Sequence, residues 1–225
     1  MENIQMMTHS LFEAGHTLAW TYLEKTTYPW EILGDLKAMI CEIGNTLDPR
    51  VYDHPREGVW IAKTAEIAPT AFVGDAVIIG QHTQVRHGAY IRGSALVGDG
   101  CVVGNSVELK NCVLFDRVQV PHFNYVGDSI LGYKAHMGAG AVTSNVKSDH
   151  ALVIIKGEGV CIPTGLKKMG AMLGDFVEVG CNAVLNPGCV IGQGCRVYPT
   201  ASVRGIIPPN HIVKAGKGTE IVPMA

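Results

Sequence analysis

The sequence is poor in aromatic and in charged residues. Phe, Trp and Tyr make up 7% of the 225 residues, and Asp, Glu, Lys and Arg together make up 17%, whereas about 25% of a typical chain is charged. The formal net charge of −2 at pH 7 gives no basic face for a nucleic acid or an anionic membrane surface. No apolar run approaches the roughly 18 residues of a membrane span. These absences leave small molecules as the expected partners.

The cysteines do not form the patterns of metal or disulfide sites. There are seven of them, and no two stand in a Cys-x-x-Cys arrangement, which argues against a zinc finger and against a disulfide framework. The first ten residues carry neither a basic start nor the apolar stretch of a secretion signal. We therefore expect a cytoplasmic protein with free thiols and with no bound metal.

An internal repeat of six residues is the strongest feature present. The repeated aliphatic positions are Ile61, Ile67, Val73, Ile79, Val85, Ile91, Val97, Val103 and Leu109, then, with two five-residue steps, Leu114, Val120, Val126, Leu131 and Met137, and later Leu173, Val179, Leu185, Ile191, Val197 and Val203. Neither the helical period of about 3.6 nor the strand period of 2 fits this series. A period of six fits three short strands per coil, with the aliphatic side chains stacked inside a triangular prism. The pattern thus predicts an all-β solenoid, a parallel β-helix of roughly seven coils.

The regions outside the repeat are predicted as follows. Residues 1–58 form an N-terminal helical segment, with helices over about 11–23 and 30–46, and this segment caps the open end of the solenoid. Residues 59–225 form the β-helix, with an inserted loop over about 144–172. Pro208 and Pro209 are expected to end the coil after Ile207, because successive prolines remove donors from the strand ladder.

Three segments break the simple repeat: Asn-x-Val-Glu-x-Lys from Asn105 to Lys110, His-x-x-Tyr-x-Gly-Asp from His122 to Asp128, and Gly-Ala-Gly-x-x-Thr-x-Asn from Gly138 to Asn145. In their order and spacing the chain resembles the left-handed β-helix acetyltransferase domain of the bifunctional glucosamine-1-phosphate acetyltransferase / N-acetylglucosamine-1-phosphate uridylyltransferase family. The resemblance covers about residues 60–213, and the family's uridylyltransferase domain has no counterpart. It implies a left-handed winding, acetyl-CoA as co-substrate, and a homotrimer with its sites in the clefts between protomers.

The resemblance also implies roles for individual residues. The family's general base corresponds to His122. The residues that would bind an amino-sugar phosphate are Arg92, Lys110, Tyr125, His136 and Lys168. His136 stands where the family has an asparagine, and the insertion makes Lys168 the least direct match. The residues that would line the acetyl-CoA site are Gly138, Ala139, Gly140 and Asn145.

Elementary chemistry agrees with these assignments. An ammonium group has no lone pair to attack a thioester, so N-acetylation needs a base with a pKa near 7, and His is the natural choice. Arg and Lys together suit a sugar phosphate. Arg92 and Lys110 are eighteen residues apart, which is one coil, and we expect the winding to bring them and His122 to a common edge. The predicted function is therefore an acetyl-CoA-dependent N-acetyltransferase acting on an amino-sugar phosphate.

Two other functions remain open from the sequence. His82 and His87 have the His-x4-His spacing found in γ-type carbonic anhydrases, but they occupy different phases of the repeat and the third His is absent. The second alternative is a non-catalytic scaffold that binds a sugar nucleotide and serves as the regulatory partner of a separate nucleotidyltransferase.

Overall fold

A computed structural model describes residues 5–157, 159–216 and 220–224. The chain winds into a parallel β-helix with three walls, and each wall stacks one third of the repeated aliphatic residues. On the first wall Ile61 lies beside Ile79, and Ile79 beside Val97. The strands of this wall are β2 (Val59–Ala62), β4 (Phe72–Ile79), β6 (Tyr90–Val97), β8 (Glu108–Leu114), β10 (Tyr125–Leu131), β15 (Ala171–Leu173), β18 (Cys189–Ile191) and β21 (Ile206–Ile207).

The second wall is a separate sheet that stacks Ile67, Val85 and Val103 on their equivalents in later coils. Its strands are β3 (Glu66–Ile67), β5 (Gln84–Val85), β7 (Val102–Asn105), β9 (Gln119–His122), β11 (His136–Met137), β16 (Glu178–Val179), β19 (Arg196–Val197) and β22 (His211–Lys214), with β23 (Glu220–Pro223) antiparallel to the last.

The third wall uses the first residues of β4, β6, β8 and β10, which bend around a corner, and then β12 (Val142–Thr143), β17 (Val184–Leu185) and β20 (Ser202–Val203). Its buried stack runs through Ile91, Leu109 and Val126 to Thr143. Thr143 takes the place of an aliphatic residue, and its hydroxyl accepts a hydrogen bond from the Gly127 N–H at 2.9 Å. Burying a hydroxyl is tolerated because it has this partner.

The register confirms both the repeat and its two short steps. Tyr90 pairs with Glu108, eighteen residues on, whereas Ala95 pairs with Cys112, seventeen residues on, so one residue is lost after Leu109. The second short step follows Val126, within β10. The core is therefore a set of aliphatic stacks, and the predicted fold class, a left-handed β-helix of hexapeptide repeats with a few N-terminal helices, is confirmed.

Helices are present before the repeat, but their bounds and their position differ from the prediction. They are α1 (Thr8–Leu11), α2 (Trp20–Leu23), a 3-10 helix (Pro29–Gly34) and α3 (Leu36–Gly44). The expected helix over 11–23 is interrupted, because backbone carbonyls from the end of α1 to the start of α2 accept hydrogen bonds from the solenoid instead of from within a helix. The Asp175 N–H donates to the Leu11 carbonyl at 3.0 Å, and the Asp116 N–H donates to the His16 carbonyl at 2.9 Å.

The expectation that the helices cap the open end of the solenoid is wrong. Helix α3 packs against β4, β6 and β8, which belong to successive coils, so it lies along the flank. Its apolar side buries Leu36, Met39 and Ile40 against the stacked strands. At the N-terminal end of the solenoid, β1 (Tyr52–Arg56) pairs antiparallel with β2. A flank offers the helix a longer apolar surface than a single terminal coil does.

The expectation that the prolines end the coil is also wrong. Ile206 and Ile207 pair in parallel with Val190 and Ile191, and β22 then pairs with β19. Pro208 and Pro209 fall at a corner between walls, where their missing N–H groups take no part in a ladder. The Asn210 N–H resumes the pattern by donating to the Gln193 carbonyl at 2.8 Å.

Within the predicted insertion, β13 (Ile154–Gly157) and β14 (Val160–Pro163) form an antiparallel hairpin. Val153 and Ile155 are fully buried, so the hairpin is fixed to the solenoid. In the described part of the chain, no helix has the length and hydropathy to cross a membrane.

Candidate functional site

A buried carboxylate organises a polar cluster at the corner where the third wall meets the first. The Asp128 side chain is only 4% exposed, and it accepts hydrogen bonds from three side chains. Lys110 Nζ lies 2.8 and 2.9 Å from its two oxygens. Asn111 Nδ2 donates to Oδ1 at 2.9 Å, and Asn145 Nδ2 donates to Oδ2 at 2.5 Å. Lys110 and Asn111 lie in the coil before Asp128, and Asn145 lies at the start of the insertion. The carboxylate therefore links two adjacent coils to the insertion.

The backbone at this corner explains why Asp and Asn occur there. Asn111 and Asp128 have φ values of 50° and 49°, in the left-handed region that Asn and Asp tolerate better than most other residues. The Gly170 N–H donates to the Asp128 carbonyl at 2.8 Å, which holds the end of the insertion against the same corner. The turn thus directs both polar side chains towards one point.

Tyr125 joins this cluster through Asn145, whose Nδ2 donates to the tyrosine hydroxyl at 3.1 Å. Burial raises the pKa of Tyr125 above its ordinary value of 10.0. Gly127 is required beside it, because a Cβ there would overlap the tyrosine ring and hydroxyl. The Tyr-x-Gly spacing is therefore explained by packing of the ring across the strand.

Arg92 stands at an irregularity in the ladder. Ile91 pairs with Leu109 and Gly93 pairs with Lys110, so Arg92 is the extra residue of a bulge. Its guanidinium lies 3.2 Å from Glu108 Oε1. The structure thus brings Arg92 and Lys110 to neighbouring coils, although they do not face each other directly.

The two ion pairs of the cluster differ in how readily they can open. The Arg92 and Glu108 side chains are 54% and 33% exposed, while those of Lys110 and Asp128 are 23% and 4% exposed. An exposed pair contributes only about 0–1 kcal/mol, so an anionic ligand can draw Arg92 away from Glu108. Lys110 is held by a buried carboxylate and is the less available of the two cations.

His122 lies at the other end of the third wall, at its corner with the second wall, and its side chain is exposed. Four residues, 123–126, at about 3.3 Å each, separate it from Gly127, the residue that pairs with Lys110. The expectation that Arg92, Lys110 and His122 share one edge is therefore wrong. Arg92 and Lys110 lie near the corner with the first wall and His122 at the corner with the second wall, and the width of the third wall separates them.

Buried Asn124 connects the backbone of His122 to the Gly-Ala-Gly segment. Its Oδ1 accepts from the His122 N–H at 3.2 Å, and its Nδ2 donates to the carbonyls of Gly138 at 2.8 Å and Ala141 at 3.1 Å. The Gly140 N–H in turn donates to the His122 carbonyl at 3.0 Å. His122 and the residues around Ala139 are thus held together by a single amide side chain.

The glycines of this segment are required by the next coil. A Cβ on Gly138 would lie 2.7 Å from the Cys181 backbone nitrogen, and one on Gly140 would overlap the Asn182 side chain. Gly140 also has a φ of 73°. Close stacking of coils therefore accounts for both glycines. Ala139, between them, is half-buried, and its N–H makes no hydrogen bond within the described residues.

His136 and Lys168 lie apart from each other. His136 is on the second wall, where its Nδ1 is 2.9 Å from Glu178 Oε2, and it does not join the cluster around Asp128. Lys168 is exposed and directly precedes Met169, whose N–H donates to the Asn145 carbonyl at 3.0 Å. The Lys168 backbone therefore runs beside the cluster.

The pair His82 and His87 does not converge with other metal-binding side chains. His87 Nδ1 is 2.6 Å from Thr70 Oγ1. Across the described ranges, no group of three or more His, Cys, Asp or Glu side chains is arranged to hold a metal ion.

Three residues of the site were not predicted from the sequence: Asp128 and Glu108, which are fixed members of the motifs, and Asn124, which is a variable position between His122 and Tyr125. The available signal was the aspartate that ends His-x-x-Tyr-x-Gly-Asp, one coil after Lys110. The strand register pairs Lys110 with Gly127, the residue before Asp128, so the spacing brings an acid and a cation together, but it does not indicate that the acid is buried.

Comparisons with known proteins agree with the resemblance stated from the sequence. Residues 76–111 match the family model described as bacterial transferase hexapeptide (six repeats). The chain is 33% identical over 145 residues to a bifunctional sugar-1-phosphate nucleotidylyltransferase/acetyltransferase of Sulfurisphaera tokodaii, which covers 64% of this chain and 36% of the relative. It is 33% identical over 109 residues to the bifunctional protein GlmU of Methanococcus maripaludis, covering 48% and 26%.

The chain therefore spans about a third or less of the length of these curated relatives. Among solved structures, it is similar to a UDP-N-acetylglucosamine acyltransferase of Francisella novicida, with a TM-score of 0.44, 16% identity and coverage of 74% of this chain and 67% of that one. The chain contains a hexapeptide-repeat domain, and its homologues include bifunctional acetyltransferases.

Proposed function

We propose that this protein is an acetyl-CoA-dependent N-acetyltransferase that acts on an amino-sugar phosphate of the glucosamine-1-phosphate kind. The observation that carries the proposal is the connected network in which Lys110, Asp128, Asn145 and Tyr125 are joined by hydrogen bonds on one corner of a hexapeptide solenoid. One sequence relative is named a bifunctional sugar-1-phosphate nucleotidylyltransferase/acetyltransferase, which supports acetyl transfer in sugar-phosphate metabolism. The seven free cysteines support a cytoplasmic location.

In this mechanism the exposed imidazole of His122 removes the proton from the substrate amine as the amine attacks the thioester carbonyl carbon. The imidazolium returns the proton to sulfur as the C–S bond breaks, so that the CoA thiol leaves and the amide remains on the sugar. Arg92 leaves Glu108 to bind the phosphate, and Lys168 approaches from the insertion. Tyr125 on the sugar side and Asn145 on the acetyl-CoA side position the two reactants, since their hydrogen bond fixes both side chains. Lys110 acts through Asp128, by holding the network in place.

Acetyl-CoA would be held beside the Gly138–Gly140 segment, where the unpaired N–H of Ala139 can donate to the thioester carbonyl. Such a donor stabilises the charge that develops on that oxygen. Because Gly140 donates to the His122 carbonyl, the base and this donor stay in fixed relation.

We further propose that the working unit is a homotrimer. His122 and the Asp128 cluster lie at opposite ends of one wall, so a neighbouring copy is needed to bring both types of group to one cleft. Phe72 and Tyr90, with ring centroids 5.4 Å apart, and Phe123, next to His122, are 57%, 42% and 61% exposed and offer apolar surface along this wall. Light scattering should give a mass of about three times 24.1 kDa, and a monomer at working concentration would contradict the assembly.

The test of function is release of the CoA thiol from acetyl-CoA in the presence of a panel of amino-sugar phosphates. We expect turnover with at least one panel member and a loss of roughly 10²–10⁴-fold in rate for His122→Ala. His82→Asn, at another exposed corner histidine, is the matched control and should retain the wild-type rate.

Equal rates for His122→Ala and the wild type would remove His122 from the mechanism. No turnover with any panel member, from a protein of trimeric mass, would favour the second candidate, a non-catalytic scaffold that binds sugar nucleotides.

A further inference from the structure

A basic cavity of about 400 Å³ lies beneath the β13–β14 hairpin. Lys147, Lys156 and Arg204 line it together with Ser144 and Asn186. Its volume falls within the range of small-ligand sites, about 300–1,000 Å³. No role has been given above to any of these residues.

The hairpin closes tightly over the solenoid at this point, so the cavity has fixed walls. A Cβ on Gly188 would lie 2.8 Å from Val153 Cγ1, and one on Gly205 would lie 2.5 Å from the Lys156 carbonyl oxygen. The backbone of Lys156 therefore lies against Gly205, the residue after Arg204. Lys156 and Arg204, which are distant in sequence, line the same cavity.

The charge lining the cavity is not neutralised. Lys147 has an ion pair with Asp149 at 3.1 Å, whereas Lys156 and Arg204 form no side-chain hydrogen bond or ion pair within the residues that the structure describes. Among the residues that the structure describes, no Asp or Glu lines the cavity. Like charges that line one cavity repel one another, and an anion bound between them relieves the repulsion.

The composition of the cavity indicates the kind of anion. Arg offers a planar fork of donors and Lys a point charge, both suited to phosphate oxygens. The Ser144 and Ser148 hydroxyls add neutral donors, while Val146 and Ile154 add apolar surface for the rest of a ligand. A diphosphate carries oxygens on two phosphorus atoms, so it can accept from two separate cations more readily than a single phosphate ester can.

We propose that this cavity binds the diphosphate of a nucleotide-type ligand through Lys156 and Arg204. Ser144 lines the cavity, and the next residue, Asn145, belongs to the Asp128 cluster, so a ligand anchored here extends along the corner towards that cluster. The diphosphate belongs either to the acyl donor or to a sugar nucleotide. Because binding is measured without turnover, the inference succeeds or fails separately from the proposed acetyl transfer.

The test is isothermal titration of the full chain with inorganic pyrophosphate and, in parallel, with inorganic phosphate. We expect pyrophosphate to bind more tightly than phosphate, and its affinity to fall with ionic strength. In Lys156→Gln/Arg204→Gln the affinity for pyrophosphate should fall by roughly tenfold for each lost charge-assisted contact. Lys37→Gln/Arg196→Gln removes two exposed cations outside the cavity and should bind as the wild type does.

Competition identifies the source of the diphosphate. Displacement of pyrophosphate by coenzyme A assigns the cavity to the acyl donor, and displacement by UDP assigns it to a sugar nucleotide. Equal pyrophosphate affinity in the two double variants, equal affinity for phosphate and pyrophosphate, or displacement by neither nucleotide would each overturn the proposal.

Discussion

Removal of the Asp128 charge should destabilise the protein more than the loss of any exposed carboxylate. In Asp128→Asn, Lys110 loses its anion, and one of the amide donors of Asn111 and Asn145 meets an NH₂ group instead of an oxygen. Hydrogen bonds to charged groups contribute about 1.5–3 kcal/mol each, and breaking a buried ion pair costs about 3–5 kcal/mol. Since water still reaches the partly exposed Lys110, we expect Asp128→Asn to lower the free energy of unfolding by about 3 kcal/mol, near the lower end of the range for a buried pair.

The assay is urea unfolding followed by circular dichroism, in a double-mutant cycle with Lys110→Met. For a chain of this length, about 3 kcal/mol corresponds to a fall in Tm on the order of 10 °C. The double variant should be less destabilised than the sum of the single variants, because removing the ammonium removes the unpaired charge. Asp53→Asn, which breaks the exposed 3.8 Å pair with Lys63, is the control and should change stability by less than about 0.5 kcal/mol. Additive effects, or an Asp128→Asn variant as stable as this control, would refute the role of Asp128 as an organising centre.

Three further predictions concern other corners of the solenoid. Asn124→Ala removes the partner of the His122 N–H and of the Ala141 carbonyl, while the Gly138 carbonyl keeps the Ala141 N–H as a donor. The variant should therefore lower the free energy of unfolding by about 2–4 kcal/mol and slow acetyl transfer, whereas exposed Asn45→Ala should change neither. Burial raises the pKa of Asp175 from its ordinary 3.8 to about 6. The folded state therefore binds this proton more tightly than the unfolded state, and the unfolding free energy should fall between about pH 4 and pH 6 and stay level above. Asp175→Asn should flatten that interval in a pH series of urea melts, and an unchanged slope would contradict the prediction. A Cβ on Gly104 would overlap the Pro121 carbonyl, while one on Gly34 meets nothing within 4 Å. Gly104→Ala should therefore lower Tm sharply, and Gly34→Ala should not.

The sequence was most informative where a single interaction repeats. Ile79, Val97 and Leu114 were predicted to stack because six-residue spacing leaves them no other common direction, and the strand register shows them side by side. The five-residue steps were readable for the same reason, since a missing residue shifts every later aliphatic position. Because every coil repeats the same spacing of aliphatic residues, the stacking can be predicted from the sequence alone.

The site was less accessible because its contacts follow no repeat. The sequence placed Lys110 and Tyr125 on consecutive coils, and these do lie within one network. It missed Asp128 as the centre, since nothing in the composition distinguishes a buried aspartate from an exposed one. His136 was grouped with the sugar-binding residues by resemblance, but the wall on which its strand lies directs it to Glu178 instead.

The sequence by itself determined the parallel coil, its three aliphatic stacks and the two short steps, because each coil contacts only its neighbours and the spacing of side chains along the chain fixes those contacts. Only the tertiary structure decided that α3 lies along the flank, that the coil continues past Pro208 and Pro209, and that His122 and Asp128 occupy different corners. Those outcomes depend on where a corner falls and on which surface is left uncovered, and both result from the accumulated winding of many residues rather than from any local pattern.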